Sequence, residues 1–241
     1  MIILRSLLFN FCFFGWSLLA SVIFIPLFIA SPRTAQLTGW PWATVTLFMA
    51  RVICGIKYEI RGREYITDGP VIYAAKHQSA WDTMIFLVLF KNPAYVLKRE
   101  LLRIPGWGWY LWRMKMIAID RSGKASSLKD LIRQSREALA ENRPIVLFPE
   151  GTRMRPGAPP DYQPGIIALY NQLGVPVIPV ALNSGAFWGK NAFNKYPGTI
   201  VMEFLPPMAP GMAKGTFLPA LQSEIEEASK RLLDEALGIR D

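Results

Sequence analysis

The chain is poor in the side chains that most often bind metals or form disulfides. It has one histidine, His77, and two cysteines, Cys12 and Cys54, in 241 residues. Both cysteines lie in apolar stretches, where a thiol behaves as a small hydrophobic group. A structural zinc site needs about four His or Cys ligands, so we expect no metal site and no disulfide framework. The chain also lacks the GxSxG nucleophile elbow of serine hydrolases.

Acidic residues are also scarce relative to basic ones. The chain has 18 Asp and Glu against 27 Lys and Arg, a net charge of +9, and 51% hydrophobic residues. A basic excess together with an apolar excess points to a membrane surface or an anionic ligand. Nucleic acid would also attract a basic chain, but no DNA- or RNA-binding motif occurs, so we expect no nucleic-acid partner.

The first 56 residues contain two long apolar stretches. Residues 6–30 carry no charge and exceed the length of about 20 that a helix needs to cross a bilayer. Residues 37–56 are interrupted only by Arg51. We predict a two-helix hydrophobic hairpin over residues 1–56 that anchors the chain to a membrane. A cleaved signal peptide is the alternative, although its apolar core usually spans only about 7–15 residues.

Basic residues flank the open end of the predicted hairpin. They are Arg5, Arg51, Lys57, Arg61 and Arg63. Because basic flanks stay on the cytoplasmic side of a membrane, we expect both ends of the hairpin and the following domain to face the cytoplasm. The sequence leaves open whether the hairpin spans the bilayer or enters one leaflet.

From residue 57 the pattern changes to alternating short apolar runs and helical segments. This alternation predicts an α/β domain over 57–241, with a mixed, mostly parallel sheet flanked by helices. The predicted strands are 58–62, 71–75, 94–98, 114–120, 144–148, 175–182 and 199–205. The predicted helices are 81–90, a helix from Ser126 or Ser127 to Asn142, 164–173 and 218–237.

The sequence KHQSAWD at residues 76–82 places the single histidine before a predicted helix. With Ser79 as N-cap and Asp82 in the first turn, the His77 imidazole can fold back onto the Asp82 carboxylate. The carboxylate would hold Nδ1–H and leave Nε2 as a base, and imidazole suits this because its ordinary pKa is about 6.5. A surface or helix-capping histidine is the plainer alternative.

A second polar loop, FPEGTR at residues 148–153, follows another predicted strand. Gly151 lets the backbone turn tightly and approach a ligand. Thr152 offers a hydroxyl, and Arg153 offers a planar guanidinium that suits a phosphate or carboxylate. The loop predicts an anion site, and an ordinary turn with a surface arginine is the alternative.

The two loops together, in this order, resemble the glycerolipid acyltransferase family, and most closely its bacterial 1-acyl-sn-glycerol-3-phosphate acyltransferases. The first family block, NHQSxxD, matches residues 76–82 with Lys76 in place of the usual Asn. The FPEGTR block matches at every position, and VPVIPVAL at 175–182 matches the last block. The remaining block, KxELxxxPxxG, matches at Lys98, Glu100, Leu101, Pro105 and Gly108. The resemblance covers about residues 55–205.

The resemblance implies a reaction and two catalytic residues. His77 would take the proton from the sn-2 hydroxyl of lysophosphatidic acid, and the hydroxyl would attack the thioester of acyl-CoA or acyl-carrier protein. Asp82 would orient His77 and stabilise the imidazolium. The thioester is a co-substrate, and the resemblance implies no further cofactor.

The resemblance also implies where the substrates bind. Glu150, Gly151, Thr152 and Arg153 would form the glycerol-phosphate site, with Arg153 on the phosphate. Lys98 would lie near the thioester or the phosphate. The implied location is the bacterial inner membrane, with the catalytic domain on its cytoplasmic side. Two alternatives stay open: an acyltransferase for another lyso-lipid, such as lyso-ornithine lipid, and a catalytically silent lipid-binding protein.

Residues 98–115 alternate basic and aromatic side chains in a pattern typical of a membrane surface. We expect Trp107, Trp109 and Trp112 to face the bilayer or the acyl-chain entrance. Core packing of these rings is the alternative.

Overall fold

Fully apolar strands place a mixed sheet at the centre of the protein. The computed structural model describes residues 1–67, 69–120, 124–213 and 215–239, and these form a seven-stranded sheet in the order β1-β7-β6-β2-β5-β3-β4. The strands are β1 (Ile56–Arg61), β2 (Ile72–Ala75), β3 (Ala94–Lys98), β4 (Ile117–Ile119), β5 (Ile145–Leu147), β6 (Val177–Leu182) and β7 (Gly198–Phe204).

Neighbouring strands are parallel except at one junction, where β6 and β7 are antiparallel. Every residue of β2 and of β6 is buried, as expected for inner strands that are covered on both faces. The predicted fold class, a mixed and mostly parallel sheet flanked by helices, is confirmed.

Helices cover both faces of this sheet. They are α1 (Ile2–Ile23), α2 (Ile25–Ala30), α3 (Pro32–Gln36), α4 (Gly39–Met49), α5 (Trp81–Phe90), α6 (Trp107–Arg113), α7 (Lys124–Ala140), α8 (Gly165–Leu173) and α9 (Phe217–Leu237). Successive side chains of a strand point to opposite faces. Accordingly Tyr73 and Ala75 join the apolar core with α4 and α5, whereas Ile72 and Ala74 join the core under α7, α8 and α9.

The N-terminal region folds back on itself as four helical segments rather than two. Helix α1 packs against α4, where the indole Nε1 of Trp16 donates to the carbonyl oxygen of Trp42 (3.1 Å) and Trp42 Nε1 donates to Ser17 Oγ (3.1 Å). Within the second apolar stretch, residues 37–56, the α-helix is limited to α4, because the backbone changes at Ala50–Cys54 to a π-helical turn that ends at Gly55 in the left-handed region.

Helix α1 is the one helix among the described residues that is long and apolar enough to cross a membrane. Most of its side chains are exposed. Helix α4 instead packs on α5, so closely that a Cβ on Gly39 would lie 2.9 Å from Leu87 Cδ2. The N-terminal segment therefore both presents an apolar surface and shares the core of the sheet domain.

Two predicted boundaries are wrong. The strand predicted at 114–120 is limited to β4 because α6 extends to Arg113 and Lys115 takes a positive φ of 53° at the turn that follows. The helix start predicted at Ser126 or Ser127 is also wrong, since α7 already includes Lys124. The predicted end of the helix at residue 173 is confirmed, since α8 ends at Leu173 and Gly174 follows in the left-handed region.

Candidate active site

Three loops meet at one edge of the sheet because β2, β5 and β6 are adjacent and parallel. Carboxyl ends of parallel strands share an edge, where α/β folds bind ligands. The loop after β2 carries His77, the loop after β5 carries the FPEGTR segment, and Ser184 follows β6.

The predicted contact between the histidine and the aspartate is present. His77 Nδ1 lies 3.0 Å from Asp82 Oδ2. Since an ionised carboxylate only accepts hydrogen bonds, Nδ1 carries the proton in this contact. Nε2 is then the ring nitrogen with a lone pair for proton transfer.

Asp82 is fully buried and held by further donors. Oδ2 also accepts the backbone N–H groups of Gln78 and Ser79, each at 2.7 Å, and Oδ1 accepts the Ser184 hydroxyl at 2.6 Å. The predicted N-cap role of Ser79 is wrong, because α5 begins after Ala80. Ser79 Oγ accepts the Trp81 N–H instead, at 3.1 Å.

The FPEGTR loop packs against one face of the His77 imidazole. The Phe148 ring stacks on His77 with centroids 4.0 Å apart and an interplanar angle of 19°. The backbone N–H of Met154 donates to the His77 carbonyl oxygen at 2.7 Å. The loop after β2 and the FPEGTR loop therefore both contact His77, and 14% of the His77 side-chain surface remains exposed.

Most of the predicted site residues line an open cavity of about 650 Å³. His77, Lys98, Gly151, Thr152 and Arg153 all line it, among mainly apolar side chains from α1, α4, β3, α6, α7 and α8. Gly151 has a φ of +63°, which lets the loop turn below Thr152 and Arg153. One arm of Arg153 donates from Nη2 to Asn191 Oδ1 at 3.2 Å.

Glu150 lies behind the cavity wall, in contrast to its loop neighbours. Its side chain is fully buried, with Oε1 2.6 Å from Lys76 Nζ and Oε2 accepting the His77 backbone N–H at 3.0 Å. Burial raises the pKa of the Glu150 carboxyl above its ordinary value, and the nearby Lys76 ammonium opposes that shift.

The three tryptophans of α6 differ in their surroundings. Trp107 lines the cavity and its ring centroid lies 5.9 Å from that of Trp42. Trp109 and Trp112 are 60% and 63% exposed, so neither ring packs in the core. Helix α6 is tied to the N-terminal helices by Tyr110, whose hydroxyl donates to the Ser21 carbonyl oxygen at 2.7 Å.

Sequence reasoning missed three residues of this site. Ser184 orients Asp82, and Lys76 and Glu226 surround Glu150. Lys76 was visible as a departure from the family block, but its partner Glu226 lies 150 residues away in α9. Ser184 lies two residues after the VPVIPVAL block, and its position after a buried strand was the signal that could have indicated it.

Comparison with known proteins points to one family. A family model described as Acyltransferase matches residues 57–183. Over 167 residues the chain is 42% identical to a 1-acyl-sn-glycerol-3-phosphate acyltransferase from Pseudomonas aeruginosa, a match that covers 69% of this chain and 65% of that protein. It is 25% identical to the alpha form of 1-acyl-sn-glycerol-3-phosphate acyltransferase from Mus musculus, over 92% of this chain and 78% of that protein.

The fold is similar to that of a solved structure. The crystal structure of the 1-acyl-sn-glycerophosphate (LPA) acyltransferase PlsC from Thermotoga maritima superimposes with a TM-score of 0.74, over 100% of this chain and 99% of that one. The two sequences are 22% identical, so this likeness supports the fold.

Replacing Ser184 tests whether its hydroxyl orients Asp82. Ser184→Ala removes one donor from Asp82 and should lower kcat about tenfold, because a hydrogen bond to a charged group is worth about 1.5–3 kcal/mol. KM should change little. Ser135→Ala is the matched control, since Ser135 Oγ is buried with no hydrogen-bond partner in the described part of the chain. Equal kcat values for the two variants would contradict a role for Ser184 in orienting Asp82.

Proposed function

Because the chain belongs to the acyltransferase family, we propose that it transfers an acyl chain from a thioester to the sn-2 hydroxyl of lysophosphatidic acid, giving phosphatidic acid. The donor is acyl-CoA or acyl-carrier protein. The names of the similar proteins support the reaction and the acceptor.

One observation carries this proposal: a histidine base and an anion-binding loop open into the same apolar cavity. The His77–Asp82 pair supplies a base whose Nδ1 contacts the carboxylate and whose Nε2 would take the proton, and Thr152 and Arg153 supply a hydroxyl and a cation that line the same cavity. A lysolipid has the matching features, since its hydroxyl, its phosphate and its acyl chain lie on one short glycerol backbone.

The chemistry requires one proton to move out and back. His77 Nε2 takes the proton of the acceptor hydroxyl, and the oxygen attacks the thioester carbonyl carbon. The C–O bond forms, the C–S bond breaks, and the imidazolium returns the proton to the departing thiolate. Asp82 stabilises the imidazolium between these steps.

Arg153 binds the phosphate of the acceptor in this proposal. Its guanidinium can form paired charge-assisted hydrogen bonds with phosphate oxygens, and Thr152 adds a hydroxyl beside it. Lys98 ends β3 at the cavity wall, where its ammonium can approach the phosphate or the thioester. Glu150 accepts the His77 backbone N–H and so supports the loop after β2, rather than contacting the lysolipid.

We infer from the N-terminal segment that the site lies at a membrane. Helix α1 has the length and apolar character of a membrane-crossing helix, and the exposed rings of Trp109 and Trp112 suit the headgroup region. We place the protein at the bacterial inner membrane with the site on the cytoplasmic side, because the basic residues next to the apolar stretches favour that orientation.

Thiol release tests the reaction and the acceptor together. The purified full-length protein in detergent is mixed with acyl-CoA, or with acyl-carrier protein as donor, and with lysophosphatidic acid or lyso-ornithine lipid. We expect thiol release that requires lysophosphatidic acid, and phosphatidic acid as the product by mass spectrometry. Release with lyso-ornithine lipid alone would contradict the acceptor, and no release with either donor or acceptor would contradict the reaction.

Replacing Arg153 tests how the acceptor phosphate is bound. Arg153→Ala should raise the KM for lysophosphatidic acid at least about tenfold, because a charge-assisted contact is lost, with a smaller effect on kcat. Arg155→Ala removes the same charge from an exposed position two residues on and should leave KM unchanged. The proposal for Arg153 fails if both variants raise KM equally.

A further inference from the structure

A buried ammonium joins the catalytic loop to the C-terminal helix. Lys76 Nζ lies 2.6 Å from Glu150 Oε1, 2.7 Å from Glu226 Oε1 and 2.8 Å from Glu226 Oε2. The side chains of Lys76 and Glu150 are 3% and 0% exposed, and that of Glu226 is 25% exposed. We call Lys76, Glu150, Glu226 and Tyr162 the Lys76 cluster.

The cluster contacts the catalytic histidine through its backbone. Glu150 uses Oε1 for Lys76 and Oε2 for the N–H of His77 at 3.0 Å. A rotation of this carboxylate away from Lys76 would withdraw Oε2 from that N–H. The position of the ammonium therefore determines whether Glu150 supports the backbone from which the imidazole extends.

Glu226 comes from a part of the chain that the family match does not include. It lies in α9, whereas the match ends at residue 183. Phe217, Leu221 and Ile225 anchor α9 in the apolar core. The Tyr162 hydroxyl also donates to Glu226 Oε1 at 3.1 Å, and the next residue, Gln163, lines the cavity and donates its backbone N–H to the Pro149 carbonyl oxygen.

Charge balance accounts for the second carboxylate. The family block that the chain resembles has Asn where this chain has Lys76, and a neutral amide could donate to Glu150 without any further acid. Lys76 adds one positive charge and Glu226 adds one negative charge, so the pair leaves the net charge behind the site as it would be with Asn. Removing Lys76 alone leaves the carboxylates of Glu150 and Glu226 without the ammonium between them, which is costly. Removing Glu226 alone leaves Lys76 paired with Glu150.

The cluster contributes orientation more than stability. Taking charged groups out of water offsets most of their mutual attraction, and buried ion pairs can often be replaced by apolar groups without loss of stability. Each side-chain oxygen of Glu150, in contrast, accepts one defined donor, Oε1 from Lys76 and Oε2 from the His77 backbone. Such fully partnered buried networks hold one geometry.

We propose that Lys76 and Glu226 are positioning residues for His77: Lys76, held between two carboxylates, keeps Glu150 where it accepts the His77 backbone N–H. Helix α9 is therefore part of the catalytic apparatus through Glu226. The kinetic part of this inference depends on the proposed function, and the structural part does not.

A double-mutant cycle tests the coupling by kinetics. Lys76→Asn should lower kcat about tenfold or more, since small displacements of a reacting group are costly, while the KM for the lysolipid changes little. Adding Glu226→Gln should restore most of kcat, because the charge balance returns. Adding Glu227→Gln is the matched control: it removes the same charge one residue along α9, from an exposed side chain, and should restore nothing.

A spectroscopic readout separates this role from a general loss of stability. Because His77 is the only histidine, labelling the full-length protein with ¹⁵N-histidine gives a single backbone amide signal. We expect Lys76→Asn to shift this signal as the hydrogen bond to Glu150 weakens. Adding Glu226→Gln to Lys76→Asn should return the signal towards the wild-type position, and adding Glu227→Gln to Lys76→Asn should not. This measurement stands even if the wild-type protein releases no thiol.

Two results would overturn the inference: an unshifted His77 amide with wild-type kcat in Lys76→Asn, or equal behaviour of the two double variants. If Lys76→Asn does not fold, Glu226→Gln and Glu227→Gln are compared as single variants in the otherwise wild-type protein. Glu226→Gln should then shift the His77 amide and lower kcat about threefold, because the ammonium loses one of the two carboxylates that hold it. Glu227→Gln should do neither, and identical spectra for the two would overturn the inference.

Discussion

The buried carboxylate of Asp82 is the point on which the site depends. Its two oxygens receive one side-chain donor from His77, two backbone donors from the same loop and one hydroxyl from Ser184. A carboxylate that is fully buried needs such donors to offset the loss of hydration. These donors converge in the observed conformation of the loop after β2, in which His77 lines the cavity.

The sheet makes this convergence possible, and the helices give it a hydrophobic setting. Parallel pairing of β2 with β5 and β6 brings three loops to one edge. The cavity wall is completed by α1, α4 and α6, so the N-terminal segment shapes the site as well as presenting an apolar surface. Arg113 reinforces this arrangement, since its Nε donates to the Phe28 carbonyl oxygen at 2.9 Å.

Local patterns in the sequence predicted the elements and contacts that depend on residues close together in the chain. The buried strands follow from apolar runs, and the His77–Asp82 contact follows from five-residue spacing at a strand-to-helix turn. Contacts between distant segments were not predictable: Ser184 meets Asp82 across 102 residues, and Lys76 meets Glu226 across 150. The burial of Glu150 was missed for the same reason, because a motif places a residue in a loop without indicating which way its side chain turns.

The central claim is that His77 acts as the base of an acyl transfer. The most direct measurement is turnover by His77→Ala, with thermal unfolding recorded for the same preparation to establish that it is folded. The account predicts that turnover falls by about a thousandfold, the order expected for loss of a positioned general base, while the melting temperature changes little. A folded His77→Ala protein that retains wild-type turnover would contradict the account.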